Sequence, residues 1–212
     1  MNLLKHALRW YDQKLFTAPY LTQMVTNGPL WASGDLAAQW LENSRRKKKQ
    51  PIDWIRVARF SAYGFCVAGP LFAWWYGYIE RRWMHLRLKG DWTKYLAAKI
   101  GCDQLIFEPP YLLQFFGTMG VLKGSSIAEI KELVEEEYVT TFAIDTAVWP
   151  VAQAINFRYV PARFQAIYVN VISLGWAGFL SLVTNPSGPQ VQDHHIAPRF
   201  KQVVEISKPS RN

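Results

Sequence analysis

The sequence predicts an all-α fold: a membrane helix bundle with an N-terminal amphipathic helix, in which five apolar stretches compete as spans. Three observations predict it. Two runs, Phe60 to Ile79 and Phe164 to Thr184, contain no Asp, Glu, Lys or Arg, and about 20 apolar residues suffice for a helix to cross the hydrocarbon core. The chain carries 10 Trp, and aromatic residues make up 15% of it; Trp and Tyr collect where a membrane meets water. Between the apolar runs lie strongly basic connections, Arg45 to Lys49 (RRKKK) and residues 80 to 92 (ERRWMHLRLKGDW). The mean hydropathy is near zero because very apolar runs and very basic loops average out.

Residues 1 to 16 (MNLLKHALRWYDQKLF) open the chain. Leu4, Leu8, Tyr11 and Leu15 recur at helical spacing while Lys5, Arg9 and Asp12 take another face, which predicts an amphipathic surface helix. A basic helix of this kind suits a membrane surface or a mitochondrial address. Leu15 to Leu41 is the next apolar stretch, with Asp35 as its one charge; Phe60 to Ile79 follows. Leu105 to Leu122 holds only Glu108 and contains Pro109-Pro110, and Tyr138 to Phe157 holds only Asp145. Phe164 to Thr184 is the last. Between the third and fourth, Ser126 with Glu129 three residues on has the form of a capping box. The segment it opens, IAEIKELVEEEY, has five acids by Glu137 and is polar enough to lie outside a bilayer. Domain organisation follows: a single transmembrane helical domain over 1–184 and a polar tail over 185–212, rich in Pro, Ser and charge and expected to be loosely ordered. Pro70, Pro109, Pro150 and Pro161 are expected helix breaks, since proline removes a backbone donor.

Polar side chains within the apolar stretches are the candidate functional residues, because an ionisable group at bilayer depth faces the bundle interior or a wet cavity. The first stretch supplies Asp35 and Gln39, with Gln23 and Asn27 on the same broad side. Arg59 stands before the second. Lys99, Asp103 and Gln104 precede the third, and Lys99 and Asp103, four apart, share a helix face. Gln153 and Asn156 sit in "WPVAQAINFRYVPARF" (149 to 164), where Trp149, Phe157 and Tyr159 suit an interface and Arg158 and Arg163 reach headgroups or a cavity. Two readings remain open: a hydrophilic path through the bundle, or interhelical glue, for example Asp35 bonded to Lys99 or Arg59.

Other classes are disfavoured. Cys66 and Cys102 lie far apart and show neither disulfide-framework nor zinc-ligand spacing. No Gly-x-Ser-x-Gly or phosphate-cradling glycine loop occurs, and the four His fall outside the apolar stretches, so neither an enzyme nor a cofactor is expected. The net charge of +8, with 16 of the 24 Lys and Arg in the first 99 residues, fits anionic lipid headgroups rather than nucleic acid, for which no motif is present. The expected partners are membrane lipids, small solutes and a second copy of the chain.

Four blocks in order give the sequence a family resemblance. Trp149, Pro150, Gln153, Asn156, Phe157, Val160 and Pro161 match Trp-Pro-x-x-Gln-x-x-Asn-Phe-x-x-Val-Pro. "GPLWASGDLAAQ" (28 to 39), "RVARFSAYGFCVAGPLFAWWYGYI" (56 to 79) and "KIGCDQLIFEPP" (99 to 110) supply the others. Over residues 5 to 184 the chain resembles the Mpv-seventeen family, which includes the peroxisomal membrane protein of 22 kDa. It departs from the family pattern at Ala73, Gln165 and Thr146, where many members carry His, Arg and Trp. The resemblance implies a small integral protein of the mitochondrial inner membrane or the peroxisomal membrane, usually with four spans. It implies non-selective pore activity for small solutes and a role in organelle homeostasis. With four spans, 125–157 would form a long helix lying partly at the interface. A non-conducting scaffold or assembly factor is the alternative role.

Overall fold

Helices form wherever the apolar periodicity is helical, and they account for nearly all of the described residues. The structure, a computed structural model, describes residues 2–46, 48–159 and 162–185; the tail beyond Asn185 and Pro161 lie outside them. The elements are α1 (Asn2–Thr17), α2 (Pro19–Arg45), α3 (Trp54–Tyr63), a π turn π1 (Gly64–Ala68), α4 (Gly69–Leu88), α5 (Trp92–Cys102), a second π turn π2 (Asp103–Phe107), α6 (Glu108–Lys123), α7 (Ile127–Tyr159) and α8 (Ala162–Thr184). The expected all-α class is what the chain adopts.

α1 ends where Ala18 leaves the helical region (φ −142°, ψ 63°) and Pro19 opens α2, a position where proline's missing N–H costs nothing. Tyr11 and Thr26 hydroxyls, 3.1 Å apart, tie the two helices. α2 is the axis of the bundle and packs on α8, α3, π1 and α4. Its small residues permit this. A Cβ added at Gly34 would stand 2.6 Å from Ala177 Cβ and 2.9 Å from the Gly178 nitrogen, so α2 and α8 approach backbone to backbone, as small-residue contacts allow in bilayers. The loop after α2 is clamped by Gln39, which accepts from Asp53 N–H at 2.8 Å and donates to its carbonyl at 3.1 Å. Asp53 then caps α3 by accepting from Arg56 N–H.

The expected breaks at Pro70 and Pro109 do not occur. α3, π1 and α4 run on without leaving the right-handed helical region, as do α5, π2 and α6. In each case a π turn lies just before the proline, and the residue preceding the proline donates five residues back: Gly69 N–H to Gly64 O, Glu108 N–H to Asp103 O. The wider turn takes up the proline's steric and hydrogen-bonding misfit, so the rod bends rather than ends. Pro150 likewise lies inside α7, which continues to Tyr159. α6 does end, at Gly124 with φ +79°, the left-handed C-terminal cap that glycine adopts freely. Ser125 N–H closes the turn on Gly120 O. The capping box that follows is formed: Ser126 N–H donates to Glu129 Oε2 at 2.6 Å, and Glu129 N–H donates back to Ser126 Oγ at 3.3 Å.

The core is aromatic. Trp31, Phe60, Tyr63 and Phe115 meet edge-on or tilted, with Trp31–Tyr63 centroids 4.7 Å apart and Tyr63–Phe115 centroids 5.1 Å apart. Polarity is otherwise distributed inside out. Asp35, Asp145, Thr141 and Ser181 have no exposure at all, while Phe16 is 90%, Leu105 77% and Val139 73% exposed. Among the described residues no helix is long and apolar enough to cross a membrane. The long elements carry inward polar side chains, and the charge-free run 60–79 is divided among α3, π1 and α4.

Two outcomes follow. Gly34→Ala is expected to destabilise the protein by about 1–3 kcal/mol by wedging α2 from α8, while Gly117→Ala, which meets open space, is expected to stabilise by about 0.5–1 kcal/mol; thermal unfolding in detergent compares them. The hydrogen bonds from Ser126 hold the Glu129 carboxyl below the ordinary glutamate range. The cap's contribution is thus complete above the unfolded glutamate pKa of about 4.3 and is lost as pH falls below that and through the lowered folded-state pKa. Glu129→Gln, which keeps an acceptor for the Ser126 N–H but cannot titrate, should abolish that acid-side slope in hydrogen exchange at the start of α7.

Candidate functional site

Buried polar side chains gather in two places. The first is a knot where α2, α3 and α8 meet. Asp35 has no solvent exposure, and a carboxylate so placed requires a cation and further donors. Arg56 supplies the cation, its Nε 2.7 Å from Asp35 Oδ1. Its other face binds Glu42 through two nitrogens, at 2.8 and 3.1 Å. Ser181 of α8 accepts from Arg56 Nη2 at 2.7 Å and donates to Asp35 Oδ1. Gln39 completes the set, donating to Asp35 Oδ2 at 2.8 Å. Neither cation expected for Asp35 takes this role. Arg59 lies one turn further on and is only half-buried; Lys99 belongs to the second cluster. Arg56 is chosen because three residues after the capping Asp53 it points back at α2.

The second place is a cavity of about 300 Å³ lined by α2, α4, α5, π2, α6, α7 and α8. It holds Lys99, Asp103, Gln104, Gln153 and Asn156 of the expected residues, but neither Asp35, Gln39 nor Arg59. The polar set is thus divided, and the expected single side of α2 is shared: Gln23 and Asn27 face the cavity, Asp35 and Gln39 face the knot. Lys99 Nζ pairs with Glu80 at 2.7 Å, and Tyr95 OH donates to the same carboxylate. Asp103 Oδ1 accepts from the indole of Trp75 at 2.7 Å. Gln104 Nε2 donates to Asp145 Oδ2 at 2.6 Å, and Glu108 stands in the same cavity wall as Gln104. Two amide pairs finish the polar lining. Asn27 Nδ2 donates to Gln23 Oε1 at 3.0 Å, and Asn156 Nδ2 to Gln153 Oε1 at 3.3 Å.

The π turn explains this grouping. In an uninterrupted α-helix Asp103 and Glu108, five apart, stand about 140° apart around the axis. The wider turn over 103–107 brings Asp103, Gln104 and Glu108 to one wall. Sequence reasoning singled out Asp103 and Gln104 but did not anticipate Glu80, Trp75 or Tyr76, because their relation to the cavity depends on how α4 crosses α5. Asp145, Trp149, Gln153 and Asn156 recur at spacings of four, four and three on α7, a helical stripe visible in the chain. Trp149, expected to suit an interface, is half-buried. It lines the cavity edge-on to Trp176, with centroids 6.3 Å apart.

Chemically the cavity offers carboxyls, carboxamides and aromatic rings around one ammonium. Among the described residues no group of three or more His, Cys, Asp or Glu could hold a metal ion.

The family model described as Mpv17 / PMP22 family matches residues 120–181. Protein SYM1 of Gibberella zeae is 33% identical over 84% of this chain and 97% of its own length. PXMP2/4 family protein 4 of Dictyostelium discoideum is 34% identical over 84% and 93%. Protein SYM1 of Saccharomyces cerevisiae is 31% identical over 82% and 88%. No solved structure matches.

The two buried clusters predict different mutational costs for neighbouring arginines. Arg56→Met leaves Asp35 and Glu42 without their cation and is expected to cost about 3–5 kcal/mol. Arg59→Met is expected to cost about 0.5 kcal/mol or less. Unfolding midpoints of the two variants in detergent give the comparison, and equal midpoints would remove Arg56 from the knot.

Proposed function

The chain belongs to the Mpv17 / PMP22 family, and from that premise we propose that it is an organellar integral membrane protein whose cavity forms part of a path for small solutes. The inside-out distribution of polarity carries this reading. In water a fold gains by exposing Asp and burying Leu; this one buries Asp35, Asp145 and Asn156 and exposes Leu105, Val121 and Val139. Large contiguous apolar exteriors mark a membrane or partner surface. Polar groups inside lipid-facing helices belong in the interior, and a wet interior is what passage requires. The bends at π1 and π2 add the irregular backbone tolerated at membrane depth only where it is buried or lines a cavity.

The mitochondrial inner membrane is the proposed location, on the strength of the basic amphipathic α1, with the peroxisomal membrane as the alternative. The loops at 45–49 and 80–92 are suited to anionic headgroups, and a second copy of the chain is a possible neighbour. We assign the chain no catalytic role. A non-conducting scaffold is the second reading, and the Asp35–Arg56–Ser181 knot favours it: those groups satisfy one another and hold three helices with no need of a path.

Three measurements decide between them. The protein should stay in the pellet after carbonate extraction, and imaging of a tagged chain against both organelles fixes the compartment. Purified protein in liposomes should release a small trapped solute, and Asp103→Asn or Lys99→Gln should shift the cation-to-anion permeability ratio about twofold or more, in opposite directions. Release no faster than from protein-free liposomes would leave the scaffold.

A further inference from the structure

The cavity has a composition that a purely passive opening does not require. Among the described residues its polar wall and immediate partners hold Glu80, Asp103, Glu108 and Asp145 against Lys99. Lys99 is already matched by Glu80 at 2.7 Å. That leaves the Asp103 carboxyl, which accepts from the indole of Trp75, and the carboxyls of Glu108 and Asp145. The wall and its partners therefore carry three carboxyls beyond the one paired with Lys99.

The remaining walls are aromatic. Phe72, Tyr76 and Tyr111 line the cavity, with Phe72–Tyr111 centroids 5.2 Å apart. Rings beside carboxylates suit an organic cation, which gains from both ring faces and charge once desolvated. A bare metal ion would need a converging set of oxygen ligands, and none is present among the described residues.

A second, independent feature lies on α8. Trp176 is buried, 8% exposed, and lines the same cavity. Its indole N–H has no acceptor, and neither has that of Trp149 beside it. A buried N–H without a partner costs about 1–3 kcal/mol, so an acceptor is wanted there.

We propose that the cavity binds a small organic ammonium ion that also carries a hydrogen-bond acceptor, its cationic end on the Asp103 and Glu108 carboxyls and its acceptor at the indole N–H of Trp176. This deepens the reading of the cavity as a wet solute site and rests on it. It names the solute class: amino alcohols and related short amines with an oxygen, in preference to neutral polyols or carboxylates of equal size.

The test uses the full-length protein in detergent, with intrinsic tryptophan fluorescence and the unfolding midpoint as readouts. The probes are ethanolamine, ethylamine, ethylene glycol and glycolate. Ethanolamine should give a saturating fluorescence change and raise the midpoint. Ethylamine, lacking the oxygen, should bind about fivefold more weakly, and ethylene glycol and glycolate should give no saturable signal. Asp103→Asn should weaken ethanolamine about tenfold or more, with Glu108→Gln as the second variant should the first fail to fold. Trp176→Phe should weaken ethanolamine and leave ethylamine unchanged. Equal response to ethylene glycol, preference for glycolate, saturation by no probe, or unchanged affinity in both carboxyl variants would overturn the proposal. Liposome release separates it from the pore reading: release without discrimination among the probes overturns the amine site alone, and binding without release overturns the pore alone.

Discussion

A carboxylate with no access to solvent sits where three helices cross, and the rest of the bundle is arranged to make that tolerable. Asp35 is held by Arg56, Ser181 and Gln39, one partner from each of α3, α8 and α2 itself. Removing Arg56 leaves an unpaired charge in a low-dielectric interior, which is far more costly than the pair's net contribution when intact. The knot therefore fixes which face of each helix points inward. Gly34 lies one residue before Asp35 on α2, and Ala177 and Gly178 lie within a turn of Ser181 on α8. The close helix approach and the ion pair thus occupy the same level of the bundle, and each requires the other: the helices must come near for Ser181 to reach Asp35.

The second constraint is proline. Pro29, Pro70, Pro109, Pro110 and Pro150 lie in the interior of continuous helical rods, and the chain meets Pro70 and Pro109 with π turns rather than breaks. A π turn changes the angular phase of everything after it. At 103–107 that phase change places two acids and an amide on one wall, opposite the amide stripe of α7. Backbone accommodation and the polar cavity are therefore one feature. The cavity lies beyond the knot along α2, so the helix divides its polar residues: Gln23 and Asn27 serve the cavity, Asp35 and Gln39 the packing.

This division bears on how a helix bundle with near-zero mean hydropathy can still be suited to lipid. No single described helix is long and apolar enough to cross a membrane, yet the assembled exterior presents Phe16, Leu105, Val139 and Val171 outward. Hydropathy along one helix averages both faces. The tertiary structure separates them, turning the polar face to the knot and cavity and leaving the apolar face outside. The proposed membrane setting rests on that separation and on family membership, not on any one segment.

By itself the sequence determined the helical class, the amphipathic α1, the capping box at Ser126 and Glu129, and the polar stripe of Gln153 and Asn156 on α7. These depend on interactions within a few residues or on a period of 3.6, which a linear reading contains. Tertiary structure decided the partners. Asp35 was legible as a buried charge, but its cation is Arg56 and not Arg59 or Lys99, because the choice turns on how the loop closed by Gln39 and Asp53 sets the start of α3. Pro70 and Pro109 were legible as misfits, but whether a misfit ends a helix or widens one turn depends on the packing that holds the rod together on either side. Glu80 and Trp75 entered the cavity only through the crossing of α4 over α5. Charge, size and period are properties of the chain; which charge meets which is settled by helix approach distances that no local pattern encodes.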